Sequence, residues 1–473
     1  MEWFGDGGYW LSRLVFQRAL AAVYLIAFLT AALQFRALIG EKGMLPVPAY
    51  VRRVPFRQAP SLFQLRYSDR LFACCSWAGV VLSAALVAGA ADTVPLAAAM
   101  AWWAVLWVLY LSVVNVGQVW YGFGWESLLL ETGFLAVFLG NERTAPPVLV
   151  LFLLRWVLFR VEFGAGLIKM RGDPCWRDLT CLYYHHETQP MPGPLSRLFH
   201  LLPRPLHRVE TAANHIVQLV VPFGLFAPQP VATVAAGLIV ATQLWLVLSG
   251  NFAWLNWLTI ALALSAVDFS LLPSAASTAS AAPGTPPWFA VLVTAVTALV
   301  LWRSWFPVRN LLSRRQRMNT GWDPLHLVNA YGAFGTVGRV RREVVVEGTD
   351  APVLGPETVW REYEFRGKPT DPRRVPRQFA PYHLRLDWMM WFAALSPAYA
   401  RPWFGPLMER LLTADRDTLR LLRSDPFDGA PPTYVRARIM RYRFTGRRER
   451  RETGARWHRD LPREFWPPTR LDG

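Results

Sequence analysis

The sequence predicts an α-helical polytopic membrane protein of about nine spans with a small β-rich C-terminal domain. Apolar runs such as residues 14–33 and 71–91 reach the roughly 20 helical residues that cross a bilayer. Only 18% of the 473 residues are charged and 53% are hydrophobic, whereas a soluble domain is about 25% charged. After Arg303 short β-like runs replace the long apolar ones.

The membrane domain is predicted over residues 1–306. Several apolar runs follow one another after only a few residues, which is typical of antiparallel helical hairpins. The candidate spans are residues 14–38, 71–91, 94–116, 123–140, 146–168, 209–227, 231–249, 251–271 and 288–306.

Three basic segments lie outside these spans: residues 41–70, residues 171–208 and the residues after Arg303. With nine spans, all three lie on one side of the membrane. The positive-inside rule favours the cytoplasm for that side, but long segments are translocated largely regardless of charge. The orientation therefore stays open on this evidence.

A small β-rich domain is predicted at residues 307–450, followed by a basic tail at 451–473. Its β-like runs are bounded by Gly, Pro and Asp and lie at residues 344–346, 360–365 and 434–444. In the last run Arg436 and Arg438 alternate, and Arg441 and Arg443 resume out of phase. A β-bulge would produce this change of phase.

The net charge of +17 is concentrated in the C-terminal third. Such charge attracts anionic lipid head groups, so membrane lipid is an expected partner. Nucleic acid is not expected as a partner, because the sequence contains no recognisable nucleic-acid-binding module.

Four charged residues inside candidate spans form two pairs. Glu126 and Glu131 lie in the fourth span, and Arg155 and Arg160 lie in the fifth. Both pairs are separated by about 7.5 Å along a helix axis. Since the two helices run antiparallel, we expect the charges to match two by two. They would form either an ion-pair lock or the lining of a polar cavity.

Lys169 ends the fifth span, and the polar segment 171–208 follows it. A lysine at this position is either a snorkelling anchor or a desolvated base. His185, His186 and Glu187 suggest metal binding or acid–base chemistry. However, adjacent histidines point to different sides, and the zincin spacing of His, Glu and His is absent.

The two cysteines of the polar segment, Cys175 and Cys181, do not have the spacing of a zinc site. They would form a disulfide in an oxidising compartment and remain thiols in a reducing one. We therefore expect neither a metal nor another cofactor. No nucleophile elbow, phosphate loop or dinucleotide fingerprint is present, which argues against the ordinary soluble enzyme classes.

The polar motif at residues 166–190, Gly-Leu-Ile-Lys-Met-Arg-Gly-Asp-Pro-Cys-Trp-Arg-Asp-Leu-Thr-Cys-Leu-Tyr-Tyr-His-His-Glu-Thr-Gln-Pro, closely resembles the lipase maturation factor family. Residues 125–138, 249–260 and 360–395 resemble it as well, and the likeness extends over about residues 10–445. It implies a multi-pass membrane protein that assists folding and assembly of secreted lipases. In the family, the polar segment and the C-terminal domain face the lumen of the endoplasmic reticulum, where Cys175 and Cys181 would be oxidised.

The resemblance implies a secreted, lipase-like client protein and a factor without catalytic activity. The residues expected to bind the client are Trp176, Arg177, Asp178, His186 and Glu187. The Ala/Arg/Trp-rich composition, and a C-terminus without an endoplasmic-reticulum retention signal, indicate a bacterial member in the inner membrane. There the polar side would face the periplasm.

A fainter likeness leads to an alternative. Residues 165–169, followed by Trp176, are similar to the membrane core of vitamin K-dependent carboxylase-like proteins, in which a lysine does base chemistry. This likeness implies an integral membrane enzyme that acts on a lipid or quinone. Lys169 would be its base, with His185 or His186 as a neighbour.

Overall fold

The computed structural model describes residues 4–271 and 284–471, and it is mostly helical. Its N-terminal part begins with a long apolar helix and contains α1 (Trp10–Leu38), α2 (Val47–Val51), α3 (Leu62–Leu65), α4 (Asp69–Ala88), α5 (Leu96–Val116), α6 (Gly124–Ala136) and α7 (Val148–Arg171).

The short helices of the polar segment follow α7, and longer apolar helices follow them. In order they are α8 (Pro174–Arg177), α9 (Leu182–Thr188), α10 (Ser196–His200), α11 (Arg204–Leu219), α12 (Val221–Gly224), α13 (Val231–Ser249), α14 (Leu255–Leu264), α15 (Pro287–Arg303) and α16 (Trp305–Leu312). Single 3₁₀ turns lie at Gly7–Tyr9, Gln118–Tyr121 and Phe269–Leu271.

Within the described residues, five helical stretches are long and apolar enough to cross a membrane: Gly7–Leu38, Asp69–Ala88, Leu96–Val116, Val231–Ser249 and Pro287–Leu312. The chain is therefore an integral membrane protein, but the expected count of nine spans is not confirmed.

Helix length and charge explain the difference. Helices α6 and α14 have 13 and 10 residues, and at about 1.5 Å per residue both are shorter than the hydrocarbon core of a bilayer. Helix α7 has 24 residues, which is long enough, but Arg155, Arg160 and Glu162 interrupt its apolar sequence.

Helix α1 lies at the centre of the membrane part and packs along α4. Ser68 caps the N-terminus of α4 by accepting a hydrogen bond from the Leu71 N–H. At Gly79 of α4 the missing side chain admits the ring of Phe28, which packs edge-on against Tyr110. A side chain at Gly79 would separate the two helices.

The C-terminal part combines strands with short helices. The strands are β1 (Thr320–Gly321), β2 (Asn329–Ala330), β3 (Arg341–Thr349), β4 (Arg361–Glu362), β5 (Tyr434–Phe444) and β6 (Trp457–Thr469). The helices are α17 (Arg385–Leu395), α18 (Pro397–Ala400), α19 (Phe404–Leu412), α20 (Arg416–Leu419) and α21 (Arg447–Thr453).

Four strands form an antiparallel sheet in the order β4-β3-β5-β6. The buried side of β5 changes phase between Ala437 and Met440, and the pairing of β5 with β6 shifts between Ile439 and Arg441. The change of phase in the arginines of this strand therefore reflects an irregular register, as a bulge would produce.

Residues 451–471, which belong to the predicted basic tail, include a strand. They contain β6, which pairs with β5 at the edge of the sheet. The sequence did not predict this strand because Pro462, Pro467 and Pro468 interrupt it. Proline is tolerated on an edge strand, where one row of backbone N–H groups has no partner strand.

Candidate functional site: the polar segment and the C-terminal sheet

One acidic residue of α6 forms an ion pair within the membrane part. The carboxylate of Glu131 contacts the guanidinium of Arg160 on α7, and both side chains are buried. Glu131 also accepts hydrogen bonds from the Asn329 backbone N–H at 3.0 Å and from the Tyr331 hydroxyl at 2.6 Å. The segment around β2 therefore enters between α6 and α7 and completes this cluster.

The other acidic residue of α6 pairs with the C-terminal domain. The guanidinium of Arg385 lies 2.7 Å from Glu126 Oε1, and His383 Nδ1 lies 3.6 Å from the same oxygen. Of the two pairs expected between the helices, the structure contains one, between Glu131 and Arg160. Arg155 donates instead to the Tyr9 hydroxyl at 2.9 Å and to the Leu225 carbonyl at 3.2 Å. No spacing rule could predict this, because the partner lies more than 250 positions away.

A disulfide closes the start of the polar segment. Cys175 and Cys181 are bonded, and Asp173 caps α8 by accepting a hydrogen bond from the Cys175 N–H at 3.0 Å. The buried indole of Trp176 donates to the Phe334 carbonyl at 2.8 Å. This corner of the polar segment therefore packs against the C-terminal part.

Lys169 lies in a buried chain of polar groups. Its ammonium donates to Asn214 Oδ1 at 2.7 Å and to Gln218 Oε1 at 2.8 Å, and it lies 4.8 Å from the ring centroid of Trp176. Gln218 donates in turn to Glu162 at 3.3 Å, and Gln243 donates to the same carboxylate at 2.6 Å. Gln218 of α11 thus links the positive charge of Lys169 to the negative charge of Glu162.

The sheet forms hydrogen bonds to backbone carbonyls at the end of α9. Arg341 of β3 donates to the carbonyls of Glu187 at 2.9 Å and Gln189 at 2.6 Å. The Glu187 carboxylate accepts a hydrogen bond from the Phe444 N–H of β5 at 2.7 Å. Burial raises the pKa of Glu187, although this hydrogen bond and the nearby arginines oppose the shift.

Arg341 is held by a buried carboxylate. Glu343 contacts Arg341 and lies 2.6 Å from the Lys368 ammonium, and all three side chains are buried. Burial alone would raise the pKa of Glu343, but the two cations hold it below its ordinary value. The charged triad keeps the guanidinium aimed at α9.

Asn251 joins the end of α13 to the C-terminal part. Its side-chain oxygen accepts hydrogen bonds from the N–H groups of Phe379 at 2.7 Å and Ala380 at 2.9 Å. Its amide donates to the carbonyls of Pro192 and Arg377. Sequence reasoning missed Asn251, although it lies in a motif that carries the family resemblance.

The residues expected to bind a client separate into two groups. Trp176 and His186 are buried at 3% and 1% exposure, and Glu187 is engaged by the sheet. Only Arg177 and Asp178 are exposed. Trp176 and His186 therefore present almost no surface to another protein.

Exposed apolar side chains lie further along the polar segment and at the start of α11. They form what we name the exposed apolar row: Leu195, Leu198, Leu201, Leu206 and Val209, exposed by 37%, 58%, 38%, 51% and 64%. The repeated spacing of three residues in and around α10, and again in α11, could have identified it, since such residues share a helix face. None of the five lies in a candidate membrane span by length and composition among the described residues.

Comparison with known proteins gives a family match over most of the chain. The family model described as lipase maturation factor transmembrane domain matches residues 11–274. The model described as lipase maturation factor C-terminal domain matches residues 327–467. The second match includes residues 457–467 of β6.

Several curated relatives align with nearly the full chain. Lipase maturation factor 1 of Bos taurus is 41% identical over 98% of this chain and 90% of its own length. The Homo sapiens protein of the same name is 40% identical over 98% and 89%. Lipase maturation factor 2 of Homo sapiens is 30% identical over 98% and 83%. No solved structure matches significantly.

Proposed function

Since the chain belongs to the lipase maturation factor family, we propose that it is a membrane-embedded factor that assists the maturation of secreted lipases. The client would be a lipase-like protein, because the named relatives are lipase maturation factors. The observation that carries this proposal is the identity of about 40% to those relatives over nearly the whole of both chains.

The proposed mechanism is transient binding of an immature client. Hydrogen bonds from Arg341, Asn251 and Phe444 support the polar segment as a rigid platform on the C-terminal domain. The exposed apolar row lies on this platform, and the polar segment also carries exposed Arg177 and Asp178. Covering an apolar patch of an unassembled client removes apolar area from water at about 25 cal/mol per Å², without requiring a covalent step.

We also propose nine passes through the bilayer, with α6, α7, the part of α11 after Val209 together with α12, and α14 as passes that are short or carry polar residues. Contacts at the two ends of the helices support this count. At one end, Gln34 donates to the His383 carbonyl and Trp254 donates to the Trp125 carbonyl. At the other end, Asn141 donates to the Ala91 carbonyl. Short helices are tolerated at membrane depth where protein surrounds their ends.

The polar segment and the C-terminal domain are proposed to face the oxidising side of the membrane. The disulfide between Cys175 and Cys181 supports this orientation, because disulfides persist in the periplasm or the lumen of the endoplasmic reticulum. The same side is the one on which a secreted client folds. For a bacterial inner membrane it is the periplasmic side.

Chemistry by Lys169 is the alternative to client binding. The hydrogen bonds of Lys169 with Asn214 and Gln218 favour a structural role, since they occupy the ammonium group. A base acting on a lipid or quinone would have to release these partners. Replacement of Lys169 by Arg and by Ala separates the two readings. If both variants support full maturation, base chemistry is excluded.

The proposed binding surface is tested with charged substitutions in the exposed apolar row. We expect L198D and L206D to reduce the yield of active secreted lipase several-fold, because a carboxylate opposes burial of an apolar patch. The amount of factor in the membrane and its Tm should stay unchanged, since both side chains are exposed. V353D is the matched control, because Val353 is also exposed but lies in the C-terminal domain.

Two outcomes would contradict the proposal. The first is wild-type lipase yield with the double variant L198D/L206D. The second is unchanged yield of every secreted lipase after deletion of the gene.

A further inference from the structure

Two histidines and a glutamate converge between α9 and α11. His186 Nε2 lies 3.8 Å from Glu210 Oε1, and His207 Nδ1 lies 4.0 Å from Glu210 Oε2. One donor atom from each of the three residues lies within 4.8 Å of the other two. The side chains of His186 and His207 are both only 2% exposed, and that of Glu210 is 16% exposed.

Four buried polar atoms of this cluster have no hydrogen-bond partner among the described residues. They are both ring nitrogens of His186, Nδ1 of His207 and Oε2 of Glu210. The separations of 3.8 and 4.0 Å are too long for hydrogen bonds between them. Leaving buried polar atoms unsatisfied costs about 1–3 kcal/mol for each group.

The tautomer of His207 determines which of its ring nitrogens has a free lone pair. His207 Nε2 lies 3.3 Å from the His200 carbonyl oxygen, which can only accept a hydrogen bond. Nε2 therefore carries the proton, and neutral His207 presents a lone pair at Nδ1. That lone pair faces the Glu210 carboxylate, which is also an acceptor. Two acceptors facing each other in a buried site call for a cation between them.

The remaining contacts orient these groups as the surroundings of a metal ion do. The Trp245 indole donates to Glu210 Oε1 at 2.7 Å and leaves Oε2 free. The backbone carbonyl on the far nitrogen of His207 fixes both ring orientation and tautomer. Carbonyl and N–H partners of this kind are characteristic of metal-ligating histidines and carboxylates.

We propose that His186, His207 and Glu210 bind a divalent transition-metal ion, with Zn²⁺ as the ion that the donor set favours. Two imidazoles and a carboxylate are a recurrent zinc donor set. Zinc–ligand bonds of about 2.0–2.2 Å separate tetrahedral ligand atoms by roughly 3.4 Å, so small side-chain movements would close the site. A water molecule on the more exposed Glu210 side would complete four ligands.

The metal would join the polar segment to α11. His186 belongs to α9, whereas His207 and Glu210 are three residues apart on one face of α11. The spacing of histidines along the sequence did not predict this site, because its donors come from two separate helices, α9 and α11. It does not depend on the identity of the client.

Metal content tests the site directly. The full-length protein is purified in detergent, its affinity tag is removed, and zinc is measured by mass spectrometry after dialysis. We expect about one zinc per chain in the wild type and a loss of at least tenfold in H207Q and E210Q. H215Q is the matched control, because His215 lies on the same helix outside the cluster, and it should retain the metal.

A measurement on the wild type alone covers the case in which the variants fail to fold. After treatment with a chelator, added Zn²⁺ should raise the Tm, and added Co²⁺ should give the visible absorption bands of a tetrahedral site. Wild-type protein that contains no metal, keeps the same Tm with added Zn²⁺ and shows no such bands would overturn the proposal. Equal zinc in the wild type, H207Q and E210Q would also overturn it.

Discussion

The two carboxylates of α6 have the same surroundings in the sequence and different partners in the fold. Glu131 pairs with Arg160 on the next long helix, whereas Glu126 pairs with Arg385 of the C-terminal domain. The first pair holds neighbouring membrane helices together. The second holds the C-terminal domain on the membrane part. A buried charge therefore identifies the need for a partner, but only the tertiary fold identifies which partner it is.

The largest expected effect follows from removing either arginine. We expect R385M and R160M each to lower the free energy of unfolding by about 3–5 kcal/mol, because a carboxylate is left buried without its cation. Thermal unfolding in detergent measures this loss. In limited trypsin digestion, R385M should release the C-terminal domain, whereas R160M should expose the α6–α7 region first.

The corresponding double variants sharpen the comparison. E126Q/R385M and E131Q/R160M should each recover part of the stability lost in the single variants, since no unpaired charge remains. Identical digestion patterns for R385M and R160M would show that the two pairs do not have the separate roles described above.

A second prediction concerns Asp387, which lies on the same helix as Arg385. Burial raises the pKa of its carboxyl to about 6, compared with about 4 in an unfolded chain. Between these values the folded protein holds a proton that the unfolded chain has lost. The free energy of unfolding should therefore fall by about 2 kcal/mol as the pH rises from 4 to 6, and level off above about pH 7.

The variant D387N should remove this slope, since an amide does not titrate in the range. D428N is the control, because Asp428 is exposed. Equal slopes for the wild type and D387N, measured by denaturant unfolding at each pH, would contradict the assignment to Asp387.

The disulfide gives a smaller and more local effect. C175S/C181S should lose about 2 kcal/mol, the chain-entropy value for so short a loop. Its Tm under non-reducing conditions should equal that of the reduced wild type. C74S/C75S should have the wild-type Tm, because those cysteines are free. A reductant that leaves the wild-type Tm unchanged would show that the disulfide does not stabilise the polar segment.

The smallest effect is expected for Arg155, which serves as the internal control for Arg160. Among the described residues its hydrogen-bond partners are the Tyr9 hydroxyl and the Leu225 carbonyl, which are neutral. R155M should therefore cost about 1 kcal/mol, the net value of ordinary hydrogen bonds. A loss of stability as large as that of R160M would mean that Arg155 also neutralises a carboxylate.

Local patterns in the sequence predicted much of the architecture. The helical membrane part, strand β5 and the change of register along it were predicted from residues close to one another. That a carboxylate of α6 meets an arginine of α7 also follows from the hairpin of these consecutive helices, although the sequence did not specify Glu131 with Arg160.

Features that depend on distant residues were not predictable in this way. Arg385, Arg341 and Asn251 act on parts of the chain far from their own positions. Burial of Trp176 depends on the C-terminal part, where the Phe334 carbonyl accepts a hydrogen bond from its indole, and burial of His186 depends on Phe199 and on His207 of α11. The exposed apolar row was overlooked for the converse reason, since its leucines lie among basic residues.

The central claim is that the polar segment and the C-terminal domain are held together on one side of the membrane. Single cysteines at Asp178, Asp428 and Glu142, all exposed, test it in a C74S/C75S background. We predict that a membrane-impermeant maleimide labels D178C and D428C from the same side of sealed vesicles, and E142C only from the other. Labelling of D178C and D428C from opposite sides would contradict the account.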